Sequence, residues 1–317
     1  MQTRGNEHIQ PGRKKAMVLA AAIVVAAIVV AVGVGYYVRY LAPFRRTVIE
    51  VGEQSVDIGY LIKRARLLPG SPGEATLSAL ELLTNELLIR QRAVDLVDAP
   101  SPSSVKEQLR KIALGDSDTI SESEFREWYR QQLNDTQLSD REYREILTTN
   151  LLALRLQEYL AQRLPAVAEQ IRVSIIRLGS YEEGAAIRQR WLAGEEFAAL
   201  AREASQDPAT KQNDGDLGWI PRGVGSDKFD TVAFQLEPGQ VSEPFWIDDG
   251  FYLLLVKEKA AARQISEQAL EILKNRVLER WLLEEKKANT IKFHGFNNGF
   301  DSETHAWITW QLSKRKP

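Results

Sequence analysis

A run of 23 residues without a formal charge, Ala16–Val38 (AMVLAAAIVVAAIVVAVGVGYYV), constrains this chain more than any other feature of its sequence. At about 1.5 Å per helical residue it reaches across a hydrocarbon core of roughly 30 Å. Tyr36, Tyr37 and Tyr40 fall where an interfacial aromatic belt lies. A cleaved signal peptide is the competing reading, but its apolar region is shorter, and no small-x-small cleavage site precedes Arg39. The run is therefore expected to be an uncleaved transmembrane helix over residues 16–38. Arg4, Arg13, Lys14 and Lys15 precede it and Arg39, Arg45 and Arg46 follow it. This slight N-terminal excess predicts a cytoplasmic N-terminus, residues 1–15, with the bulk of the chain outside the cytoplasm.

Residues 39–317 must fold in water, and 44% hydrophobic content over a 317-residue chain is enough for about two domains. The 41 basic and 43 acidic residues nearly cancel, so nothing in the charge suggests a nucleic-acid partner. Cysteine is absent, which removes disulfides, thiol nucleophiles, cysteine metal ligands and a lipidated-cysteine anchor. The three histidines, His8, His294 and His305, are too scattered to suggest a metal set. There is no phosphate-cradling glycine loop and no nucleophile motif, so no cofactor and no metal is expected.

Thr47–Val51 reads as a short strand followed by a turn at Gly52 and then a helix. Leu77, Leu80, Leu83, Leu87 and Leu88 recur at helical spacing between Glu74 and Val97, before the break DAPSPSS. Three S-x-x-E patterns, Ser104/Glu107, Ser121/Glu124 and Ser139/Glu142, predict capping boxes opening three more helices. The last extends to about Leu164 with Ile146, Leu147, Leu151, Leu154 and Leu156 on more than one face, and a late helix from Ser266 to Ala288 is a natural neighbour for it. Between them, RVSIIRL, EEGAAIRQRWLAG, EFAALAREAS, GDLGWI, DKFDTVAFQL and GFYLLLVKEK alternate strand and helix patterns. These runs predict a small α+β module set into a helical domain.

From Gly194 to Lys259 the order of residues is specific: Gly194, Phe197, Leu200 and Ala201; Ser205, Asp207 and Pro208; Gly215-Asp216-Leu217-Gly218-Trp219; Phe229 and Phe234; Gly239, Val241 and Gly250. This set resembles the parvulin-type peptidyl-prolyl isomerases. The flanking helical region, opening with VIEVGEQSV, is similar to the chaperone domain of the family that contains SurA, PrsA and PpiD. With a membrane helix and no lipid-bearing cysteine, the arrangement is most similar to the membrane-anchored PpiD. The resemblance implies an α+β fold, with a parvulin-like module of antiparallel sheet and surrounding helices at 168–260. That module would be inserted in an all-α chaperone domain, 39–166 completed by 264–290. Residues 291–317 lie beyond the family pattern as an aromatic tail, with Phe293, Phe296, Phe300, Trp307 and Trp310 expected to pack against the protein's own helical domain, the alternative being a partner-docking segment.

The implied partners are unfolded or newly exported polypeptides, with the Sec translocon as a further candidate. The implied activity is prolyl cis-trans isomerisation, and the implied groove residues are Leu217, Phe229, Phe234 and Gly225. Gly225 stands where a bulky methionine is common, so a wider groove is expected. Active parvulins carry one histidine in the first strand (xHIL) and one in the last (GxHI). Here VSIIRL and GFYLLL place Ser174 and Tyr252 at those points. A Ser174–Tyr252 hydrogen bond is expected to hold the floor together instead, leaving isomerase activity weak or absent. Asp207 of the SxDP segment is the remaining polar site candidate, with turn capping as its alternative role, and Asp214 stands where a second glycine is usual. The alternatives to a folding isomerase are a non-catalytic holdase and an accessory subunit of a membrane complex.

Overall fold

The computed structural model describes residues 11–115, 118–247 and 250–314. Arg4 and His8 lie outside the described residues. By its internal contacts the chain divides into two compact units: one of residues up to Arg92, Ser101–Thr149 and Lys286 onward, the other of Ala93–Pro100 and Asn150–Glu285.

In the first unit, helix α1 (Pro11–Tyr36) contains most of the apolar run and continues through a π-turn, Tyr37–Leu41, and a 3-10 turn, Ala42–Arg45. Residues 22–45 are long and apolar enough to cross a membrane, and none of that span is buried against the rest of the protein. Strand β1 (Thr47–Val51) turns at Gly52 into β2 (Gln54–Asp57), and Asp57 Oδ1 accepts from Tyr60 N at 2.7 Å to cap α2 (Ile58–Ala65). Helices α3 (Pro72–Arg92), α4 (Pro102–Leu114) and α5 (Glu122–Thr136) follow, and α6 (Asp140–Ala161) belongs to this unit as far as Thr149 and to the second unit from Asn150.

Ser121 and Glu124 form the expected reciprocal box, and Ser139 and Glu142 exchange the same pair of bonds. The expectation for Ser104 and Glu107 is corrected. The cap of α4 is Ser101, whose Oγ accepts from Ser104 N, with Pro102 at the first helical position where its missing N–H costs nothing. The core is built from Val48, Ile49, Ile58, Leu61, Leu83, Leu87 and Leu88, and enclosed beside it Arg64 and Glu86 make a two-pronged ion pair at 2.7 Å.

The helical unit is not purely helical. A strand beyond the sequence reading, β7 (Ile291–Phe293), pairs antiparallel with β1 (Ile49 opposite Phe293, Val51 opposite Ile291), giving a three-stranded sheet in the order β2-β1-β7. Helix α11 (Ser302–Ser313) closes the unit, burying Thr304, Ile308 and Leu312 and contacting α2 and α3.

In the second unit the long strands β3 (Val167–Leu178) and β6 (Gly250–Gln264) form the centre of a four-stranded antiparallel sheet. Strands β4 (Asp216–Pro221) and β5 (Phe245–Ile247) are at its edges, in the order β4-β3-β6-β5. Alternation along β3 sends side chains to opposite faces. Ile176 and Leu178 pack with Leu253 under α7 (Tyr181–Leu192) and α8 (Phe197–Ala204), through Ile187, Phe197, Leu200 and Ala201. Ile171, Val173 and Ile175 pack with Leu254 and Val256 on the other face under α9 (Asp227–Gln235), through Phe229, Ala233 and Phe234. Ala269 and Leu273 of α10 (Glu267–Ala288) pack on Leu164, Ala168 and Val224 of the same unit.

Candidate active site

The face of the sheet under α9 brings together Phe229, Phe234 and Tyr252 of the candidate site, and the GDLG corner, with Leu217, opens the edge strand β4. Gly215 and Gly218 both have positive φ, +72° and +73°, a region an L side chain rarely enters. Gly215 also lies against β3, where its carbonyl accepts from Ile175 N at 2.9 Å. A side chain at 215 would overlap Ile175 O, whereas one at 218 would meet nothing within 4 Å.

Between these glycines the carboxylate of Asp216 accepts from Gly218 N at 2.8 Å and faces Arg172 and Lys257 at 3.2 and 3.3 Å. Partial burial pushes Asp216 upward, but the Gly218 N–H and the two cations outweigh it and hold the carboxyl below the usual range. Strand β4 pairs Gly218 with Val173 and Asp216 with Ser174, so Leu217 is the extra residue of a β-bulge. It is 37% exposed, while Phe229 and Phe234 are buried in the cluster beneath α9.

The floor differs from the sequence reading by one residue. Ser174 pairs with Leu255 and Tyr252 with Arg177, and the alternation of β3 places Ser174 on the α7/α8 face, away from Tyr252. The expected Ser174–Tyr252 bond is not formed. Ser174 is completely buried, and its Oγ finds no partner. The first-strand residue on the side of Tyr252 is Ile175, which stands opposite Leu254 and shares the cluster of Phe229 and Phe234 with Tyr252 packed against it. Alternation contains the signal that would have found it: Val173 and Ile175 belong to one face, Ser174 and Ile176 to the other. The floor is thus an isoleucine beside a tyrosine.

The expected widening at Gly225 is also corrected. The space a side chain would take there is filled by the Phe229 ring, with its Cγ and Cβ at 2.9 and 3.1 Å from that position. Arg276, reaching from α10, donates from Nη1 to the carbonyls of Gly223, Val224 and Gly225, and this fixes the loop over the ring. No spacing rule in the sequence connects residue 276 to this loop. Asp230, one residue beyond Phe229, is buried and accepts from Gly223 N at 2.6 Å through Oδ2, leaving Oδ1 without a partner. Burial raises its pKa, against the pull of the Gly223 N–H and of Arg222, Arg280 and Arg276.

Asp207 is placed as a turn residue: Oδ2 accepts from Thr210 N at 3.2 Å and from the Thr210 hydroxyl. Ser205 Oγ accepts from Arg177 N, tying this turn to β3. Among the described residues no group of His, Asp or Glu is arranged to hold a metal. His294 and His305 both belong to the first unit.

Residues 179–258 match the PPIC-type PPIase domain family, known as rotamase. The module is a parvulin domain. Over 103 residues the chain is 36% identical to the foldase protein PrsA of a Geobacillus species, covering 32% of this chain and 37% of that protein. It is 41% identical over 95 residues to the chaperone SurA of a Polaromonas species, covering 30% of this chain and 20% of that protein. The solution structure of the parvulin domain of PpiD from E. coli aligns with 29% of this chain and 90% of that domain, at 30% identity and a TM-score of 0.27. The chain therefore spans well under half the length of these two curated relatives.

A parvulin site acts on an X–Pro amide whose uncatalysed exchange takes on the order of tens to hundreds of seconds, because the bond loses resonance as it twists. Catalysis needs a grip on the proline ring and polar groups that serve the twisted amide better than the planar one. This parvulin domain has the exposed Leu217 and the half-buried phenol of Tyr252 over a buried apolar cluster that contains Ile175, Leu254, Phe229 and Phe234. It has no imidazole at either floor position.

Proposed function

We propose that the protein is a membrane-anchored, extracytoplasmic folding factor of the PrsA/SurA type that holds unfolded exported chains, with a parvulin domain of weak or no isomerase activity. The observation that carries this reading is the Ile175–Tyr252 floor. A phenol can hydrogen-bond a bound amide, but Ile175 brings no polar group to the other floor position, and a phenol does not reproduce the shape, tautomer choice or titration of imidazole. Such a site binds planar and twisted amides about equally well, which gives affinity without rate. Asp207, held by Thr210, acts on the turn and not on the substrate. In this reading Leu217 and the rim of Phe229 and Phe234 touch the proline ring.

Chain holding is assigned to the helical part, residues 39–166 with 264–290, and in this reading α1 is the anchor that keeps it at the outer face of the membrane; the apolar length of α1 supports this. The Sec translocon is the membrane partner that this position favours. The test is a prolyl-isomerisation assay on the full chain in detergent, run beside suppression of aggregation of a denatured client. Suppression with isomerisation near the uncatalysed rate is expected. Isomerisation at the rate of histidine-bearing parvulins, abolished by Leu217→Ala in a folded variant, would overturn the holdase reading. Protection of residues 40–317 from protease added to spheroplasts would overturn the orientation.

A further inference from the structure

Where α1 ends, the chain is joined by a segment distant in sequence. Phe44 lies in the last turn of the apolar span, and its ring meets Trp307 of α11 edge-on at 5.0 Å. Trp307 also meets Phe296 at 5.3 Å, and Arg46 donates from Nη1 to Phe296 O at 3.2 Å. Helix α11 is therefore fixed to the point at which the span ends. Its inner face, Thr304, Ile308 and Leu312, is buried. Its outer face carries Trp310, 50% exposed, with Lys314 Nζ 3.0 Å above the ring centroid.

The chemistry of this outer face differs from an ordinary solvated helix face. A large amphipathic ring under an ammonium suits the boundary between headgroups and acyl chains. The same end of the molecule carries Arg39, Arg45 and Arg46, with no acidic residue between Glu7 and Glu50, and Arg315 and Lys316 follow Lys314 in the sequence. Tyr36, Tyr37 and Tyr40 are exposed on the last turns of the span. The carboxylate of the outer face, Glu303, lies at the far end of α11 and accepts from Asn297 Nδ2 at 2.9 Å.

We infer that α11 is a second membrane attachment, lying along the bilayer surface with Trp310 at the acyl boundary and Lys314 on anionic phospholipid headgroups. This rests on the reading of α1 as an anchor. Its consequence is orientation: a single helix leaves the first unit free to tumble about its stem, whereas two contacts a few residues from the bilayer hold it at one tilt.

Because the chain has no cysteine, single-cysteine probes report without background. The full chain, labelled with an environment-sensitive dye at Trp310→Cys, Val30→Cys or Glu127→Cys, is reconstituted in phosphatidylcholine vesicles with or without phosphatidylglycerol. A nitroxide lipid serves as quencher. The residue-30 probe is expected to be quenched in both vesicles. The residue-310 probe is expected to be quenched severalfold more strongly with phosphatidylglycerol than without, and less after Lys314→Glu or in high salt. The residue-127 probe, on exposed α5, should remain aqueous. A residue-310 probe as aqueous as that at 127, beside a quenched residue-30 probe, overturns the inference alone. A residue-30 probe in water overturns the anchor reading and the inference with it.

Discussion

Gly215→Ala and Gly218→Ala make a matched pair, because the two positions share a backbone conformation and differ in their neighbours. Both have φ near +72°. An alanine at either pays the left-handed penalty, roughly 1–2 kcal/mol. At 218 nothing else follows, since no atom lies within 4 Å of the new methyl. At 215 the methyl overlaps Ile175 O and comes within 3.2 Å of Ala201 Cβ, so the corner must move off β3. That movement breaks the 2.9 Å bond from Ile175 N to Gly215 O, worth about 1 kcal/mol, and adds about 1–3 kcal/mol of overpacking. The expected costs are thus about 3–6 kcal/mol at 215 against about 1–2 kcal/mol at 218. Amide hydrogen exchange of peptides from β3 in the full chain isolates this unit from the helical one. A difference of about 2 kcal/mol or more corresponds to roughly 30-fold faster exchange in Gly215→Ala than in Gly218→Ala. Equal loss of protection in the two variants would show that the carbonyl of Ile175 is not what forbids a side chain at 215.

Ile175→His with Tyr252→His should raise the prolyl-isomerisation rate above that of the natural chain, whereas Ser174→His with Tyr252→His should raise nothing and destabilise the α7/α8 core; activity and melting of the two variants decide. Gly225→Ala should cost about 1–3 kcal/mol by displacing the Phe229 ring, and adding Phe229→Ala should remove most of the Gly225 effect, a coupling read from a double-mutant cycle of β3 exchange. For Asp230 the folded pKa is raised, so its contribution to stability is fully present below the ordinary aspartate range and is lost as pH rises through the folded value. Asp230→Asn should flatten the decline of unit stability with rising pH above that range, and an unchanged pH profile would count against its burial as the cause. Glu86→Ala should destabilise the helical unit by about 3–5 kcal/mol by leaving Arg64 buried and unpaired, measured by exchange of α3 peptides.

Local signals in the sequence carried much of this structure. The boxes at Ser121 and Ser139 form as read, because a hydroxyl and a carboxylate three residues apart can meet only around a helix start. The GDLG corner is legible for the same reason: its glycines answer a local backbone demand. What failed were questions settled across space. Whether Ser174 or Ile175 faces Tyr252 turns on a one-residue step in a strand, which exchanges every side chain between faces. The ring that fills the place beside Gly225 belongs to a helix turn whose packing depends on Arg276, about fifty residues on. Strand β7 is three residues long and has no period to read; only its pairing with β1 defines it.

That pairing has a consequence in time. Lys292 of β7 reaches Glu50 of β1 across 242 residues of chain. At a synthesis rate of about 5–20 residues per second, roughly 12–50 s separate the appearance of the two strands. A β1–β2 ribbon that forms in that interval has β1 as an open edge, while the whole parvulin domain, 179–258, is being made. An unpaired strand edge invites pairing with any extended chain nearby. A newborn molecule of this protein therefore presents, until its last segment arrives, the same kind of surface as the clients it is proposed to hold, and a mature neighbour is well placed to cover it.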